Sequence, residues 1–201
     1  MKKLLTALAI TTGLLLTGCS NVDSALSFGD TEITTAELQT KVDTLLAERT
    51  KVDVSQMQLE SGDALLRNQL QFQLLIQGFF VLAEELKIEV SNSEIAARRA
   101  AIVEQVGDEE QIPSALVSAA IAPEDFEPYI RGILINEKIV QALLQTGVPE
   151  NEVQTRVQEL FVAKLNSLEI TVNPRYGKWD SATGQIIESV VAGDAVTPST
   201  E

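Results

Sequence analysis

Apolar residues recur at three- and four-residue steps over most of the chain, and alternate only in two short stretches near the ends of its central part. The long segment from Gly62 to Leu86 sets the pattern, with Leu66, Leu70, Leu74, Leu75, Phe79, Leu82 and Leu86 at helical spacing and Phe72, Ile76, Phe80 and Val81 across from them. A helix apolar nearly all round must be enclosed by neighbours or offer a surface to a partner. Gly78 in its middle costs about 1 kcal/mol relative to alanine, so either a neighbouring backbone packs closely there or the helix bends. The stretch LLIQGFFVLA is too short to cross a bilayer.

The remaining helices carry their own start and stop signals. Thr34 with Glu37, and Ser91 with Glu94, have capping-box spacing, which predicts helices through LQTKVDTLLAER and IAARRAAIVEQV. Gly107 ends the second of these, and Pro113 opens a short small-residue helix. Pro123 with Glu124 and Asp125 reads as a helix first turn, with carboxylates at the positive end of the dipole. Pro128 is expected to start the longer helix YIRGILINEKIVQALLQ, ended by Gly147, and Pro149 opens the last one, with Val153, Val157, Leu160, Phe161 and Leu168 at helical spacing.

The alternating stretches are ALSFGDTEIT, where Leu26 and Phe28 precede a Gly29-Asp30 turn, and LEITVNPRY, where Ile170 and Val172 share one side. A lone strand leaves its backbone groups unpaired, and the last strand is the partner available to the first. The predicted fold is therefore mainly α: a bundle of five or six helices with a small two-stranded sheet that pairs the N- and C-terminal segments of the domain. Tyr176 and Trp179, in a chain only 4% aromatic, are expected to cover the end of the helical core where the strands meet, with direct ligand contact as the other reading.

The N-terminus has a different pattern. Lys2 and Lys3 precede the apolar run Leu4 to Leu16, the layout of an export signal over residues 1–18. It ends in LTGC, which resembles the lipobox of bacterial lipoproteins, so Cys19 is the expected lipid attachment site and residues 19–23 a tether. The resemblance implies a diacylglycerol on the Cys19 sulfur and often a third acyl chain on its amine. Two or more chains make anchoring stable where one is marginal. The expected location is extracytoplasmic, on a bacterial membrane that the protein does not span. Residues 24–180 form the predicted domain, and the segment 181–201, rich in small and polar residues, is expected to be a disordered acidic tail.

Charge narrows the partners. The chain carries a net charge of −14, and the exported part is more acidic still once Lys2 and Lys3 are removed with the signal. Nucleic acid and anionic lipid heads are poor partners for such a surface.

Candidate chemistry is sparse. The chain has no histidine and one cysteine, so histidine-activated nucleophiles, the usual zinc sites and an internal disulfide are all excluded. Phosphate-cradling glycine loops and calcium-loop spacing are missing. Adjacent acidic pairs such as Glu84-Glu85 and Glu109-Glu110 point apart on a helix and read as solvated surface, leaving a carboxylate-paired sugar hydrolase as a distant option. No catalytic residue, metal or cofactor is expected. What remains is apolar surface: Phe72, Phe79, Phe80, Phe126 and Tyr129 are the candidates for a client-binding groove, the alternative being that they form the core.

The order of elements also carries a family likeness. SALSFGDTEIT, the long apolar helix followed by LKIEVSNSEI, then IAPEDFEPYIRGILINEKIV, and a last helix leading into ITVNPRYGKWD together resemble the N-terminal chaperone domain of SurA and PrsA-type extracytoplasmic folding factors, over about Ala25 to Asp180. Such proteins often insert a parvulin prolyl isomerase domain before the last helix. Here Gly147-Val148-Pro149 joins the two parts directly, so the resemblance implies the chaperone part alone: a lipoprotein that holds unfolded or nascent exported polypeptides without ATP. The alternative is a non-catalytic adaptor or structural lipoprotein that binds a folded cell-envelope partner.

Overall fold

The computed structural model describes residues 23–189. Cys19, the expected export signal over residues 1–18 and the last residues of the expected tail, 190–201, lie outside this range. The described chain opens with a hairpin, β1 (Ser24–Phe28) and β2 (Thr31–Thr34), turned by Gly29 at φ 52°. Helices α1 (Thr35–Arg49), α2 (Gly62–Leu86), α3 (Asn92–Val106), α4 (Ile112–Ser118), α5 (Phe126–Gln145) and α6 (Glu150–Asn166) follow. Strands β3 (Thr171–Val172), β4 (Lys178–Asp180) and β5 (Gln185–Ile187) close the described chain.

The fold is a helical bundle with a small sheet joining its two ends, as the sequence predicts. Leu26 of β1 faces Val172 of β3 in an antiparallel ladder, and Asn173 extends the pairing, its N–H donating to Ala25 O at 2.9 Å and its Nδ2 to Ser24 O at 3.0 Å. That sheet has three strands where two were expected, in the order β2-β1-β3, because the chain after Gly29-Asp30 stays extended and pairs back on β1.

Both capping boxes form. Thr34 and Ser91 each accept a hydrogen bond from the N–H three residues on, while Glu37 and Glu94 accept from the cap N–H groups, satisfying donors that the first helical turn leaves free. Two boundaries differ from expectation. The turn Pro123–Asp125 is a 3-10 turn that runs straight into α5, so α5 begins at Phe126 and Pro128 sits inside its first turn, where its missing N–H costs nothing. The expected disorder from Ser181 is corrected by β5: Ile186 is buried, and its N–H donates to Gln71 Oε1 of α2 at 2.6 Å.

α2 lies centrally and packs on α1, α5 and α6. Leu70 and Leu74 are fully buried in the main core with Leu26 and Phe28 from β1, Ile135 and Ile139 from α5, and Phe161 and Leu165 from α6. Truncating either leucine to alanine would cost about 2–5 kcal/mol. Tyr176 is buried in the same cluster, whereas Trp179 packs on its edge with Nε1 donating to Asn166 Oδ1 at 3.2 Å. A second cluster joins α3, α4 and α5 through Ile95, Ile112, Leu116, Phe126 and Ile130.

Gly78 resolves one ambiguity of the sequence. It faces a side chain: a Cβ there would lie 2.8 Å from Phe161 Cε2, so the missing methyl lets the Phe161 ring settle directly on α2. That ring also lies against Phe79, with centroids 4.8 Å apart.

Candidate functional site

The end of α2 shapes two small clefts. Lys87 adopts the left-handed conformation, φ 54° and ψ 41°, which costs a non-glycine residue about 1 kcal/mol or more and turns the chain sharply. The turn is held by Ile88 N–H donating back to Ala83 O at 2.8 Å, the pattern that terminates many helices. Ile88 is thereby swung onto α5 and sits between two adjoining clefts. One, of about 200 Å³, is lined almost wholly by carbon, with Leu86, Ile139, Leu143 and Leu160 around Ile88. The other, of about 240 Å³, is lined by Phe80, Ala83, Val90 and Ile135, with Glu84 and Arg131 among its polar residues. Leu86 is 41% exposed and Leu160 37% exposed, so the first cleft opens to solvent.

A second groove runs between α2, α6 and β5 and encloses about 420 Å³. Its floor is apolar, from Phe79, Val157, Phe161 and Val162, with Leu75, 38% exposed, at its edge. Its rim is made of Gln71, Gln154, Gln158 and Gln185 with Thr155 and Thr183. Among the described residues no charged side chain lines it.

The third opening is polar and differs in kind. Lys41 Nζ of α1 meets Asp125 Oδ1 at 2.5 Å, and Gln73 Nε2 of α2 donates to Asp125 Oδ2 at 2.9 Å. Both carboxylate oxygens are thus engaged, as a buried charge requires. These three side chains line a cleft of about 540 Å³ together with Glu32, Glu37 and Glu124. Glu37 is held below the ordinary carboxylate range, first by the Thr34 backbone N–H and then by the Thr34 hydroxyl. Among the described residues no group of three or more His, Cys, Asp or Glu side chains is disposed to hold a metal ion.

The five aromatic candidates do not converge on one groove. Phe79 lies on the floor of the glutamine-rimmed groove and Phe80 lines the cleft beside Ile88. Phe126 is buried in the second core cluster, under the Arg99 guanidinium at 5.8 Å. Phe72 and Tyr129 lie at the edge of that cluster, centroids 6.2 Å apart and tilted by 34°.

The exposed large apolar side chains among the described residues are instead leucines, Leu46, Leu75, Leu86, Leu144 and Leu160, of which Leu86 and Leu160 flank the first cleft. No sequence signal marks Leu160, which shares the helical spacing of α6: the structure buries Val153, Val157, Phe161 and Leu165 and leaves Leu160 at the edge of that stripe. Leu86 has none either, because its exposure follows from the Lys87 turn. Among the described residues no helix is long and apolar enough to cross a membrane.

Compared with protein-family models, curated proteins and solved structures, the chain returns no match.

Proposed function

We propose that the protein is a lipid-anchored extracytoplasmic holdase, a chaperone of the SurA N-terminal type that shields unfolded exported polypeptides without ATP. The observation that carries this reading is the pair of apolar clefts around Ile88, open through Leu86 and Leu160. Each accommodates a side chain or two, which suits short apolar segments of an unfolded chain better than a folded domain. Covering about 300 Å² of client apolar surface would give roughly 7 kcal/mol gross, reduced by the cost of ordering the client. Contacts of that size exchange readily, as holding and release require. The anchor enters through the lipobox cysteine, Cys19, and the family assignment through the order of elements and the VNPRYGKWD ending.

The test is aggregation of a reduced secreted protein in the presence of the folded domain at near-stoichiometric ratio. Suppression by the wild type that is lost in Leu86→Glu with Leu160→Glu supports the reading. Unchanged aggregation with wild-type protein of native circular dichroism sinks it.

A second reading, an adaptor for one folded envelope partner, draws on the burial of Phe126 and the packing of Phe72 against Tyr129. Recovery of one dominant membrane partner and no unfolded clients by the anchored protein would favour it.

A further inference from the structure

The groove between α2, α6 and β5 differs from the apolar clefts in having a hydrogen-bonding rim without charge, in a chain whose net charge is −14. We infer that this groove binds an uncharged, extended polypeptide segment, with an apolar side chain seated over Phe79 and Phe161 and the segment's peptide groups bonded to glutamine carboxamides. The inference rests on the reading above that the domain takes unfolded polypeptide, and it names which class of segment is taken and where.

Three features of the groove point to that occupant. Gln154 and Gln158 stand one helical turn apart on α6, a rise of about 6 Å, close to the two-residue repeat of roughly 6.6 Å in an extended chain. Successive peptide groups on one edge of such a segment therefore meet successive carboxamides, each of which offers both a donor and an acceptor. The groove already shows this chemistry once, since Gln71 Oε1 accepts the N–H of Ile186 that its strand leaves over. Gln71 Nε2 and the carboxamides of Gln154, Gln158 and Gln185 have no hydrogen-bond partner among the described residues. Finally, charge selects against the alternatives. A lysine or glutamate flanking the seated side chain would lose hydration against a rim of carboxamides and hydroxyls whose lining residues carry no charge, whereas a neutral segment loses little.

The experiment measures fluorescence anisotropy of three labelled peptides that share one apolar centre and differ in flanks: Ser/Asn, Lys or Glu. Readings are taken in about 1 M salt, where screening falls to about 3 Å and the field of the acidic surface no longer attracts or repels the peptides. The Ser/Asn peptide is expected to bind about tenfold more tightly than either charged one. Gln158→Glu, and separately Gln154→Ala with Gln158→Ala, are expected to weaken it about tenfold. These rim residues are exposed on α6, and native circular dichroism of each variant confirms that folding is intact.

Equal binding of all three peptides, or Gln158→Glu without effect, overturns the inference. Absence of peptide binding while aggregation is still suppressed also overturns it and leaves the holding function standing. Loss of both overturns the two together.

Discussion

The ring of Phe161 rests on Gly78, so closely that a methyl group added to the glycine would meet Cε2 at 2.8 Å and Cζ at 2.9 Å. Two opposing effects meet at this point. Alanine gains about 1 kcal/mol of helix propensity over glycine, whereas overpacking a filled core costs roughly 1–3 kcal/mol. Phe161 is buried and held by Phe79, so it has little room to yield. Gly78→Ala is therefore expected to lower stability by about 1 kcal/mol in urea unfolding. Gly132→Ala, whose added methyl meets only the tip of Ile76 at 3.3 Å, is expected to be neutral or stabilising. Equal effects of the two substitutions would contradict this account of the α2–α6 contact.

The Lys41–Asp125 pair predicts an asymmetry between single and double substitutions. The side chain of Asp125 is only 6% exposed, and its charge is answered by Lys41 with help from Gln73. Lys41→Met leaves the carboxylate without its counter-charge and is expected to cost about 2–3 kcal/mol, at or below the lower end for a buried pair because Lys41 is partly exposed. Lys41→Met with Asp125→Leu should recover part of that loss. A double variant less stable than the sum of the singles would show that the pair has another role.

Glu94 contributes to the acid limb of stability. Lys138 Nζ lies 2.7 Å from its carboxylate, which also accepts the Ser91 N–H, and these interactions hold its pKa at about 2 against an ordinary 4.5. The folded value lies below the unfolded one, so this contribution is complete above about pH 4.5 and is lost as pH falls toward 2. Glu37 is lowered in the same direction at the start of α1. Denaturation midpoints are expected to stay level down to about pH 5 and then fall, with a shallower fall in Glu94→Gln. Identical slopes for the variant and wild type would remove Glu94 from the explanation.

Trp179, the only tryptophan, reports on closure of the two chain ends. Its indole is tied to Asn166, and the strand before it is tied to β1 through Asn173 and Ser24. Asn173→Ala is expected to cost about 1 kcal/mol and to shift tryptophan fluorescence and far-ultraviolet circular dichroism transitions together. A fluorescence transition that precedes loss of helix would mean that the closing strands form a separate unit.

Much of this architecture is a local property of the chain. Capping boxes at Thr34 and Ser91, the prolines at 123, 128 and 149, and the four-residue apolar steps each act within one helical turn, so helix number and most boundaries follow from the sequence alone. The pairing of Leu26 with Val172 was also within reach, because a strand without a neighbour must find one and the chain offers few. Strand β5 was not: Gln185–Ile187 is too short to show a period, and it is fixed by Gln71 and the α6 surface, which are distant in sequence.

The candidate site divides in the same way. That Phe72, Phe79, Phe80, Phe126 and Tyr129 are apolar and lie on helices is written in the residues, but their exposure is decided by which helix covers which. α5 carries Phe126 into the second cluster, and the second cluster in turn shelters Phe72 and Tyr129, while the packing of α6 on α2 and α5 leaves Leu160 and the glutamine rim uncovered. Periodicity states which residues share a face. Only the packing of one face against another states which of them water still reaches, because that depends on side chains far apart in the chain and close in space.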